Sequence, residues 1–111
     1  MLILALTIFT LVAMMGLGLA LDVFKGMVSS KIFAIVHALL ALLGSALVIG
    51  AALDGDNRVW VNIGLAVAII GLGLFISLRR SKGLSVKGLV ALHGGLAVVC
   101  YGMLGYLVIA G

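Results

Sequence analysis

Acidic side chains are almost missing from this chain: three in 111 residues, Asp22, Asp54 and Asp56, none inside a long apolar run. A zinc site normally takes three or four ligands from Cys, His, Asp and Glu, so this scarcity argues against one. Cysteine occurs once, which excludes an intrachain disulfide and leaves the redox compartment unmarked. Charged residues of both signs make up only 9% of the chain, against about 25% in a typical soluble domain. Proline is absent altogether. What fills the chain is apolar: 66% hydrophobic residues, with a mean hydropathy of +1.50. Too few polar side chains remain to build a water-facing surface, so the composition predicts an integral membrane protein.

The charges fall in clusters and divide the chain into four apolar segments, approximately residues 2–21, 32–53, 59–78 and 86–109. Each is close to the roughly 20 residues needed to cross a hydrocarbon layer as a helix. None alternates with period two, and backbone groups in lipid must be satisfied within the segment, so helices are expected over a barrel. The first segment lacks a basic n-region and a small-residue cleavage site, and it is too long for a signal peptide. The expected fold is all-α: one transmembrane domain over residues 1–111, built as a four-helix bundle from two tandem helical hairpins.

Six of the seven basic residues sit at the first and third turns: Lys25, Lys31, Arg79, Arg80, Lys82 and Lys87. The second turn, Asp54-Gly55-Asp56-Asn57-Arg58, is net acidic. The positive-inside rule places turns one and three in the cytoplasm and both termini outside, as in a multi-pass protein of a bacterial-type cytoplasmic membrane. Trp60 stands where an outer interfacial anchor belongs, and Asp22 reads as a solvated boundary residue. The net charge of +4 is then topology and lipid contact; nucleic-acid binding has no support.

The two halves of the chain resemble each other. M-G-L-G-L (residues 15–19) and I-G-L-G-L (residues 70–74) each precede a basic turn. A serine follows near each next helix start, Ser30 and Ser85, in position to cap it. Lys31 then precedes His37 by six residues, and Lys87 precedes His93 by six. A duplication of one hairpin would give parallel repeats about an axis along the membrane normal, with both histidines at one depth. Six residues put each imidazole about 9 Å inward of its lysine.

Ionisable groups within a span default to a functional reading with a named partner. Two imidazoles on symmetry-related helices suit the opposed axial positions of a haem iron, and facing bundle helices are a common cofactor site. Small residues around them would admit a flat ring: Ala34, Ala38, Ala41 and Gly44 on the second helix, Gly94, Gly95, Ala97 and Cys100 on the fourth. Ala34, Ala41 and Gly44 share the His37 face, as Ala97 and Cys100 share that of His93. Gly16, Gly18, Gly71 and Gly73 end near histidine depth, and Lys31 and Lys87 lie where haem propionates would emerge. Copper on two histidines with Met14 or Met15 would need an unusual site. Asn62, Tyr101 and Tyr106 carry polar groups that need partners within their helices.

In His37, His93 and their surroundings the chain resembles small four-helix membrane b-type cytochromes, with cytochrome b561-like ligand logic. Those families usually carry more histidines, near both membrane faces; this chain has one pair near one face. The resemblance implies one bis-histidine haem b and one-electron exchange with a quinol or a redox partner subunit. It identifies His37 and His93 as metal ligands and Ala41, Ala97, Gly44, Lys31 and Lys87 as cofactor contacts. Self-association into a homo-oligomer is compatible with it, and no catalytic acid, base or nucleophile is visible. In size the chain also resembles small multidrug resistance transporters. Those depend on a glutamate in the first helix, where this chain has no acid before Asp22. An accessory membrane subunit whose histidines only bond neighbouring helices is the third reading.

Overall fold

A computed structural model describes all of residues 1–111. The chain forms four helices, α1 (Leu2–Phe24), α2 (Lys31–Leu53), α3 (Trp60–Ser81) and α4 (Lys87–Ala110), with a short 3-10 turn at Asn57–Val59 leading into α3. All four are long and apolar enough to cross a membrane. They pack as an elongated bundle of 44 × 19 × 19 Å. Each helix lies against its chain neighbours, α1 closes the ring on α4, and α2 and α4 stand diagonally opposite. The seam between α2 and α3 is the thinnest.

Only 11 of 111 residues are buried, while large side chains such as Ile3, Met14, Leu17, Ile32, Leu53, Val67, Leu74 and Val98 face outward. That inverts the arrangement of a water-soluble bundle and is what a lipid-facing surface requires. The close-packed core, Ala5, Val48, Ala52, Val59 and Leu104, gathers at the end formed by the termini and the second turn. The histidines lie at the other end.

α1 and α3 each extend three residues beyond the segments predicted from hydropathy, to Phe24 and Ser81. The apolar runs end at Asp22 and Arg79, but a charged side chain at a membrane boundary does not stop a helix. A glycine cap does. All three turns close alike, with a residue of positive φ at Gly26 (68°), Gly55 (108°) or Gly83 (72°). The amide two residues past the cap position returns to a carbonyl in the last turn: Met27 to Asp22, Asp56 to Ala51, Leu84 to Arg79. Ser30 caps α2, its hydroxyl accepting from the Phe33 amide at 3.3 Å. Ser85 does not cap α4, whose N-cap is Val86 with no side-chain bond; its carbonyl accepts from Arg79 instead.

Asp22 departs from the solvated role expected of it. It is half-buried, and its carboxylate accepts from Ser29 at 2.9 Å. Ser29 in turn accepts from Arg80 at 2.7 Å, and Arg80 also donates to the Met27 carbonyl at 2.8 Å. This chain of bonds ties the first turn to the end of α3. At the far end, Asp56 accepts from the Arg58 amide and side chain, and the guanidinium holds its carboxyl below the usual range. Trp60 opens α3, half-exposed, with its indole N–H on Asn57.

Candidate functional site

The sequence places His37 and His93 one and a half turns into α2 and α4, and the fold gives them nearly identical seats. A Cβ built on Gly16 of α1 would meet His37 Cε1 at 3.1 Å; one built on Gly73 of α3 would meet His93 Cε1 at 3.1 Å. Each ring therefore lies directly on the backbone of the preceding helix, where any larger residue would crowd it. Nδ1 of each histidine is buried and has no hydrogen-bond partner in the protein.

Only one glycine of each G-L-G-L motif serves as a seat, and not the equivalent one. Gly16 is the first of its pair and Gly73 the second. Gly71 has open space around it, and Gly18 makes only ordinary contact with Phe33. The spacing that relates the two seats, 57 residues, also relates the capping glycines Gly26 and Gly83. Literal alignment of the motifs is therefore two residues out of structural register.

Ala34 and Ala41 lie on the less exposed side of α2 with His37, and Ala97 lies with His93 on α4. Ala38, Gly94 and Gly95 face outward. Gly44 is occupied: Phe9 of α1 rests on it so closely that a Cβ there would stand 2.9 Å from the ring. Lys31 and Lys87 open their helices, exposed at the end nearest the histidines.

Two of the three polar residues that the sequence leaves unassigned find partners. Asn62, 1% exposed, donates Nδ2 to the Cys100 carbonyl at 2.8 Å, and the Cys100 thiol reaches back to the Asn62 carbonyl at 3.6 Å. This reciprocal pair joins α3 to α4. Thr10 donates to the Leu6 carbonyl, so at 2.7 Å the Tyr101 hydroxyl donates to Thr10 and joins α4 to α1. Tyr106 stays exposed.

A haem would draw on the two imidazoles alone, for no cluster of three or more His, Cys, Asp or Glu exists that could hold a bare metal ion. The space does not yet match a haem. Ligand pockets of that size run to several hundred Å³. A cavity of about 30 Å³ between α2 and α3 and an open groove of about 330 Å³ beside Arg58 and Tyr106 are not lined by a histidine. No known protein family, characterised protein or solved structure matches the chain.

Proposed function

We infer that the chain is a multi-pass membrane protein, with its two hairpins related by duplication, whose His37 and His93 would hold one haem b near the cytoplasmic face. It would serve as a one-electron carrier to a quinol or a partner subunit. The observation that carries this reading is the matched pair of seats. Each imidazole lies on a glycine of its own hairpin with its Nδ1 buried and making no hydrogen bond within the protein, which leaves both rings without a polar side-chain partner. Haem bound there requires the hairpins to part at the histidine end. The buried Val23 and Val86 and the bonds from Arg80 to Ser29 and Met27 hold that end, so opening has to displace them. Lys31 and Lys87, with Arg79, Arg80 and Lys82, supply cations for propionates. Iron held this way would contribute low-spin one-electron chemistry.

The test is a reduced-minus-oxidised spectrum of the detergent-purified protein from haem-replete cells. A Soret band with sharp α and β bands on dithionite reduction is expected, and His37→Ala or His93→Ala should abolish or convert it. A colourless wild-type protein overturns the reading. The transporter reading gains nothing from the fold: the acid of α1 nearest a span centre is Asp22, at the helix end and bonded to Ser29.

A further inference from the structure

The thin seam between α2 and α3 contains a small polar spot in otherwise apolar surroundings. A cavity of about 30 Å³ is lined by Ser45 and Asn62, with Phe9, Val48, Ile63 and Ile70 among the apolar side chains around it. A single water needs about 10–15 Å³ of such space and two or more polar partners. Both are available. Asn62 is 1% exposed, and because its Nδ2 must be the atom that donates to the Cys100 carbonyl, the orientation of the amide is settled. That leaves Oδ1, an acceptor with no donor in the protein. The Ser45 hydroxyl spends its proton on the Ala41 carbonyl at 2.8 Å, so its oxygen lone pairs are also left to accept. Two acceptors on facing helices, with no donor between them, are complementary to the two protons of one water molecule.

We propose that a single water molecule occupies this cavity and bridges Ser45 of α2 to Asn62 of α3, joining the two hairpins where side-chain packing joins them least. The site is independent of the histidines and does not require a haem. It explains why an asparagine is kept almost fully buried on a helix whose other inward residues are apolar. An unmet amide oxygen is unfavourable in an apolar setting, and a bridging water offsets that cost.

The experiment is a water-selective NOE measurement on the full-length, ¹⁵N-labelled protein in detergent micelles, read at the Asn62 side-chain NH₂. A long-lived water should give a direct cross-peak there. Ser45→Val, which fills the cavity and removes one acceptor, should abolish that cross-peak while the Cys100 and Asn62 backbone resonances stay near their wild-type positions. Should Ser45→Val fail to fold, Ser45→Ala tests the same acceptor without added bulk and should weaken the cross-peak. Absence of the cross-peak in the wild type, or NOEs from Asn62 to detergent acyl chains in its place, overturns the proposal.

Discussion

Four glycines in two identical tetrapeptides behave differently because a helix turns about 100° per residue. A shift of two residues carries a side chain to nearly the opposite face, so in the second half Gly73 meets His93 while Gly71 has open space. In the first half Gly16 meets His37 and Gly18 makes only ordinary contact with Phe33. Gly16→Ala and Gly73→Ala would place a methyl 3.1 Å from an imidazole carbon, and the ring has to move by a few tenths of an ångström. Each is expected to shift the imidazole ¹⁵N resonances of its own histidine and to cost about 1–2 kcal/mol from overpacking. Gly71→Ala, in open space, should leave both histidines unmoved. Equal effects at Gly71 and Gly73 would show that the seats are not as described. The histidine pair itself was legible in the sequence, because an ionisable residue six positions after a lysine is conspicuous in an apolar run. Which glycine meets it was not, since letters repeat without regard to helix rotation. Asn62 was equally hidden: its partner is a main-chain carbonyl 38 residues away, and main-chain groups leave no mark on sequence.

At the level of elements, hydropathy located all four helices but ended two of them early. It registers the first charge, whereas the chain ends a helix where a residue can take positive φ. Gly26 and Gly83 do so, and the dipeptides Lys25-Gly26 and Lys82-Gly83 are the legible sign of it. Ser30 and Ser85 show the reverse case. Both stand beside a helix start, but one residue of offset decides whether the hydroxyl reaches an amide. The bonds from Asp22 through Ser29 to Arg80 were also illegible, because they join residues of different hairpins. They form the visible polar tie between the first turn and α3, so Arg80→Ala should lower stability by about 1–2 kcal/mol and Ser29→Ala by about 1 kcal/mol. Thermal unfolding in detergent reads both. Lys82→Ala, an exposed cation in the same turn, is the control and should fall within about 0.5 kcal/mol of wild type. If all three variants melt alike, the tie contributes nothing.

At the scale of the molecule, the antiparallel helices sort charge to two ends. Lys25, Lys31, Arg79, Arg80, Lys82 and Lys87 cluster at one end; Asp54, Asp56 and Arg58 lie at the other with both termini. Near short loops it is the count of Lys and Arg that sets orientation, and here it is six against one. The single cysteine makes this orientation directly testable, since Cys100 is buried and can be replaced by Ala without removing the carbonyl that Asn62 uses. On that background, Asp54→Cys and Lys82→Cys each introduce one exposed thiol, in the second and third turns respectively. Neither substitution reverses the excess of basic residues at the first end, so the orientation should survive both. In intact cells a membrane-impermeant maleimide should label the Asp54→Cys thiol and leave the Lys82→Cys thiol unlabelled until the membrane is opened. That outcome would place the histidine end, with its surrounding cations, toward the cytoplasm. Labelling of Lys82→Cys in intact cells would turn that end, and with it His37 and His93, outward.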